Sequence, residues 1–121
     1  MLAGKRFLVA EDNGLIRDAV CEMLETHGAQ AIPAEDGAQA VRAFSALDAG
    51  GFDAVLMDVC MPGMDGYAAA RAIRRMDRRI LIFAHTDAGG TYSAGEALKN
   101  GMDGCIPKLA GVGELARLMH I

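Results

Sequence analysis

Residues 52–57 form a short, almost unbroken apolar run that stops on Asp58 and gives way to a loop containing Pro62, Gly63 and Gly66. A strand with one wet face alternates polar and apolar residues. An unbroken run bounded by turn residues instead reads as a strand covered on both faces. Such a strand demands layers on either side and leaves a carboxylate at the edge of the sheet. Taken alone, Asp58 is as well explained as the start of a turn.

Comparable segments recur along the chain. Residues 6–10 are a first apolar strand running into Glu11, Asp12 and Asn13, so a second pair of acids stands at a strand end. Asn13 is suited to cap a helix whose apolar positions Leu15, Ile16, Val20, Met23 and Leu24 recur at three- and four-residue spacing, with Gly28 as its stop. Residues 29–34 read as a weak second strand. Asp36 and Gly37 then turn into a helix with Ala40, Val41, Phe44 and Leu47 on one face. After the central strand, residues 67–75 read as a short helix ending in a basic run, Arg74, Arg75, Arg78 and Arg79, expected to answer the helix dipole in solvent. Residues 80–84 are a fourth strand leading to His85, Thr86 and Asp87. A helix over 91–100 stopped by Gly101, a short strand over 104–107 and a closing helix over 112–119 complete the chain.

Length and composition bound the function. The 121 residues, 52% of them hydrophobic, suffice for one domain with a core, and nothing remains for a second. No apolar run reaches the roughly 18 residues a membrane span needs, and residues 1–10 lack a secretory signal, so a cytoplasmic domain without membrane contact is expected. A net charge of −4 lacks the basic footprint of a nucleic-acid binder. Cys21, Cys60 and Cys105 show neither zinc nor disulfide spacing, and buried, reduced thiols are the expectation. His85 is expected to be a buried, hydrogen-bonded imidazole, and His27 and His120 ordinary helix-end residues.

Five strands alternating with five helices imply an α/β fold with a parallel sheet covered on both faces. Right-handed crossovers favour the doubly wound, flavodoxin-like order 2-1-3-4-5. Ligands bind such sheets beyond the carboxyl ends of strands 1 and 3, the strands that end in Glu11–Asp12 and in Asp58. Three carboxylates in one crevice repel one another unless a cation joins them, and all-oxygen ligands suit Mg²⁺. Thr86 and Lys108, also at strand ends, add a hydroxyl and an ammonium. The set is equipped to take a phosphoryl group onto Asp58 as an aspartyl phosphate.

With these residues in order, together with Asn13, Asp36–Gly37, Pro62, Gly66 and the segment 101–103, the chain resembles a receiver domain of two-component response regulators. The likeness spans essentially residues 1–121 and is greatest to receivers of hybrid sensor histidine kinases. The resemblance implies that Asp58 is the phosphoacceptor, taking its group from a histidine kinase or histidine phosphotransfer protein in a phosphorelay. It implies Mg²⁺ held by Glu11, Asp12, Asp58 and the backbone carbonyl of Cys60, with Thr86 and Lys108 meeting the phosphoryl group. Thr86 is chosen over Thr91 because its interval to Lys108 is the family's. The implied output is a surface shift around the fourth helix and the fourth and fifth strands, with a homodimer through the fourth helix, fifth strand and fifth helix. Such a domain modifies itself and has no turnover, so it is not by itself an enzyme, although a parent hybrid kinase would be.

Three positions depart from the family pattern. Asp87 stands where a small residue follows the switch hydroxyl, Cys105 where an aromatic partner of that hydroxyl is common, and Leu109 where proline follows the lysine. Cys60 and Ala88 fall where receivers tune their own hydrolysis, and neither orients a water readily, which implies a long-lived phosphoryl group. Two alternatives follow: a degenerate receiver acting as a phosphorylation-independent interaction module, and a small Mg²⁺-dependent phosphohydrolase. The latter lacks the usual second acid, since Cys60 occupies that position, and lacks a cap domain.

Overall fold

The computed structural model describes residues 2–47, 50–86, 94–108 and 110–121. Five strands, β1 (Arg6–Ala10), β2 (Gln30–Ala34), β3 (Ala54–Asp58), β4 (Leu81–Thr86) and β5 (Gly104–Pro107), form one sheet in the order β2-β1-β3-β4-β5. Every pairing is parallel. The central strand β3 is buried along its whole length, as its unbroken apolar run requires. The two edge strands each carry a proline, Pro33 in β2 and Pro107 in β5, where a missing ladder donor is tolerated.

Five helices cover the sheet: α1 (Gly14–Thr26), α2 (Gly37–Ser45), α3 (Gly66–Met76), α4 (Ala94–Lys99) and α5 (Val112–Leu118). Strand residues alternate between two cores. Leu8, Ala10, Val55, Met57, Ile82 and Ala84 pack with Ala40, Phe44, Ala69, Ile73 and Ala97 from α2, α3 and α4. Phe7, Val9, Leu56, Phe83 and Ile106 face Val20, Leu24 and Leu115 from α1 and α5. Local signals set the helix starts. The side chain of Asn13 accepts from the N–H groups of Leu15 and Ile16, that of Asp36 from Gln39, and that of Asp65 from Ala68. Gly28 and Gly101, at φ +85° and +84°, follow the ends of α1 and α4 in the conformation glycine favours.

Two strands run further than the sequence expectation. β3 includes Asp58, and β4 continues to Thr86, because Asp58 pairs with His85 and Thr86 with Pro107 across the sheet. The residues expected to open the fourth helix, 91–93, lie outside the described residues.

Arg74 is not a solvated end charge. Its Nε donates to the carbonyl of Gly101 at 2.9 Å, Nη1 to those of Arg78 and Ile80, and Nη2 to Asp103 Oδ2 at 2.9 Å. Asp103 in turn accepts the N–H of Ile82 at 2.9 Å. One guanidinium therefore ties the end of α3, the entrance to β4 and the turn between α4 and β5. Its donors meet three main-chain carbonyls in the turns and at the strand entrance, which draws it inward.

Candidate metal and phosphoacceptor site

Glu11 follows β1 and is fully buried. Asp58 ends β3 and is 5% exposed, and Asp12 faces solvent. One carboxylate oxygen from each lies within 4.8 Å of the others. The parallel order of β1 and β3 causes this convergence, because both strands deliver their last residues to the same edge of the sheet. Lys108, just beyond β5, sends its Nζ to 2.7 Å from Glu11 Oε1 and 3.4 Å from Asp58 Oδ2.

The surrounding backbone is built to hold these groups. Glu11 Oε2 accepts the N–H of Asn13 at 3.1 Å, and Asp58 Oδ1 that of Cys60 at 3.2 Å. Thr86 closes β4 and accepts the N–H of Lys108 on its carbonyl at 2.7 Å. Gly66 opens α3 against the central strand: a Cβ there would stand 2.1 Å from the carbonyl oxygen of Asp58. Gly37 meets the same loop from α2, where a Cβ would lie 2.4 Å from the carbonyl oxygen of Met64. The two Asp-Gly pairs thus cap helices and admit the loop that follows Asp58.

Burial, and then the hydrogen bond and negative charge of Glu11, push the Asp58 carboxyl up to about 7, against the opposing pull of Lys108. Asp12 is held below the usual carboxylate range: burial opposes this, but hydrogen bonds with Glu11 and Asp58, its own backbone and Lys108 outweigh it. A group of three acids with one lysine has surplus negative charge, which Asp58 relieves by holding a proton. A hard divalent cation relieves it instead by direct coordination, so the donor set fits Mg²⁺.

Glu11, Asp12, Asp58 and Lys108 are therefore brought together as the sequence predicts, and Thr86 stands on the adjoining strand end. The backbone of Cys60 is at the site through its N–H. His85 is buried, as expected, and stands beside Asp58 in register, and His27 and His120 sit at helix ends. Asp87, Ala88, Thr91 and Leu109 lie outside the described residues. The thiols correct one expectation: none of the three is in a disulfide, but Cys60 is exposed and Cys21 and Cys105 are half-buried. Cys60 sits in the loop past the end of β3, beyond the cover of either helical layer.

Sequence reasoning missed Arg17, whose Nη1 donates to the carbonyl of Glu11 at 2.8 Å. A lone cation one helical turn after an acidic pair was the available signal. It also missed Tyr67, which packs against the same core as the half-buried Cys105.

The sequence pattern of the response regulator receiver domain matches residues 7–120. The chain belongs to that family. This receiver is 36% identical over 116 residues to Two-component system protein A of Emericella nidulans, covering 95% of this chain but 17% of that protein. It is 34% identical over 104 residues to the chemotaxis protein CheY of Halobacterium salinarum, covering 86% of this chain and 84% of that one. Among solved structures it matches the receiver domain of the sensor histidine kinase PA1611 from Pseudomonas aeruginosa PAO1, described with a magnesium ion coordinated in its active-site cleft. That match has a TM-score of 0.82 and 33% identity, and covers 98% of this chain and 96% of that one. Relatives of the receiver thus include both short chemotaxis proteins and parts of much longer signalling proteins. Among its described residues, no helix is long and apolar enough to cross a membrane.

Proposed function

We propose that residues 1–121 act as a single receiver domain that takes a phosphoryl group from a phosphohistidine onto Asp58, with Mg²⁺ as cofactor. The observation carrying this reading is the Asp58 carboxylate, buried at a sheet edge within 4.8 Å of Glu11 and Asp12 oxygens and 3.4 Å from the Lys108 ammonium.

In the reaction an Asp58 carboxylate oxygen attacks phosphorus as the phosphorus–nitrogen bond to the donor imidazole breaks. The imidazole leaves with the electron pair and takes a proton, and an acyl phosphate remains on Asp58. Glu11, Asp12, Asp58 and the carbonyl of Cys60 would hold Mg²⁺, which would supply Lewis-acid stabilisation of developing negative charge. Lys108 is near enough to Asp58 to pair with the added charge, and Thr86 offers a hydroxyl from the neighbouring strand end. No free product is released, so the domain modifies itself without turnover.

The donor is a histidine kinase or a histidine phosphotransfer protein, and the setting is the cytoplasm, within a hybrid kinase or alone. Likeness to the receiver of a sensor histidine kinase supports the former. Output runs through the surface of α4, β4 and β5, with α4, β5 and α5 as the face for a second copy. Neither nucleic acid nor membrane is a direct partner of this domain.

The test is intact mass after incubation with Mg²⁺ and acetyl phosphate, beside Asp58→Asn. A phosphoryl adduct that requires both Mg²⁺ and Asp58 is expected. No adduct, with Mg²⁺ binding also undetectable, would leave a phosphorylation-independent interaction module.

A further inference from the structure

We infer that Arg17 is a positioning residue for the metal-binding carboxylates, acting through the peptide that joins Glu11 to Asp12. The inference rests on the proposed Mg²⁺ site. The side chain of Arg17 is 16% exposed, and its Nη1 donates to the main-chain carbonyl of Glu11 at 2.8 Å. Its other visible partner does not explain that burial. Glu35 Oε1 lies 3.9 Å from Nη2 on a side chain 66% exposed, a loose pair of the kind that contributes little.

Peptide planarity gives the contact its consequence. The carbonyl oxygen of Glu11 and the nitrogen and Cα of Asp12 lie in one plane, so anchoring the oxygen fixes the direction in which Asp12 leaves the strand. Asp12 is the solvent-facing acid of the three and has least packing of its own to orient it. The adjoining groups of Glu11 are fixed from neighbouring elements. Its N–H donates to Ala34, and its carboxylate takes Asn13 N–H and the Lys108 ammonium. The carbonyl is the one Glu11 group held by α1 through a long side chain, and Arg17 is itself seated by its N–H on the carbonyl of Asn13 at 2.9 Å. Arg17 thus stands behind the ligands as an outer partner, oriented by the same helical turn that caps on Asn13.

Two roles for a cation beside a metal site predict opposite signs. As a bare positive charge, Arg17 would weaken Mg²⁺ binding, and its removal would tighten it. As a positioning group, its removal loosens Asp12 and weakens binding.

The experiment is Mg²⁺ titration of the full chain followed by amide NMR shifts, for the wild type, Arg17→Gln, Arg17→Lys and Glu35→Gln, with thermal midpoints recorded alongside. Arg17→Gln is expected to bind Mg²⁺ about 10-fold more weakly, the usual scale for loss of an outer-shell partner. Its acetyl phosphate adduct should recover at saturating Mg²⁺. Arg17→Lys, which keeps a donor, should fall between it and the wild type, and Glu35→Gln should match the wild type. Unchanged or tighter binding by Arg17→Gln would overturn the inference, as would a drop in its thermal midpoint with no change in affinity. Should Arg17→Gln fail to fold, Arg17→Lys decides, with unchanged affinity counting against the role. A wild type that binds Mg²⁺ but forms no adduct defeats the phosphoacceptor reading alone, because the affinity comparison still stands.

Discussion

The Lys108 ammonium sits closer to Glu11, at 2.7 Å, than to Asp58, at 3.4 Å. Both acids are buried, so a lysine that satisfies one of them occupies charge that a divalent ion would otherwise meet. On the proposed reading Lys108 and Mg²⁺ compete for the same carboxylates, and the lysine turns to an incoming phosphoryl group only after the metal displaces it. Lys108→Gln should lower the thermal midpoint of the metal-free protein, because a buried acid loses its partner. The same change should tighten Mg²⁺ binding about threefold or more and slow phosphorylation at saturating Mg²⁺ by about tenfold or more. Calorimetric Mg²⁺ titration beside adduct formation measures both. Weaker Mg²⁺ binding in the variant would show that lysine and metal do not compete.

The raised Asp58 carboxyl carries a signed pH dependence. In the unfolded chain this group ionises near its ordinary value, whereas in the metal-free fold it holds its proton up to about 7. Between these two values the native state binds more protons, so stability falls as pH rises and levels off above about 7. Asp12 has the opposite sign, but its contribution is lost only below the ordinary carboxylate value, outside that window. Metal-free wild type should lose roughly 5 °C of thermal midpoint between about pH 5 and pH 7.5 relative to Asp58→Asn. Saturating Mg²⁺ should abolish the difference in slope. Parallel curves for the two metal-free proteins would mean that Asp58 is ionised throughout.

What could be read from the chain and what could not divide along a physical line. The cap at Asn13, the stop at Gly28 and the buried run of β3 depend on neighbours in sequence, and each is legible there. The meeting of Glu11, Asp12 and Asp58 is a long-range fact, yet it follows once alternating elements dictate a parallel sheet whose strands end on one edge. The roles of Arg74 and Arg17 do not follow in that way. Each donates to backbone carbonyls whose need for a partner appears only when the turns are folded, so the sequence reads Arg74 as surface charge and passes over Arg17. The preference of Lys108 for Glu11 over Asp58 is likewise a matter of ångströms within a correctly predicted cluster.

Glycine at the head of α3 shows the same division in a form that one substitution can test. A methyl group at Gly66 would stand 2.1 Å from the carbonyl oxygen of Asp58 and 2.8 Å from the Cα of Val59, both backbone atoms of the segment that carries Asp58 itself. Neither can swing aside as a side-chain tip would, so α3 must lift or the end of β3 must shift. Gly66→Ala should cost about 3 kcal/mol of stability, at the upper end of overpacking penalties, and weaken Mg²⁺ binding because Asp58 moves with its own carbonyl. Gly113 lies inside α5 with nothing within 4 Å of a Cβ and no unusual φ. There the same substitution should stabilise by roughly 0.5–1 kcal/mol, through helix propensity alone, and leave Mg²⁺ affinity unchanged. Chemical denaturation of the two variants reads both signs, and equal, small effects at both positions would mean that α3 does not rest on the strand end as closely as its glycine implies.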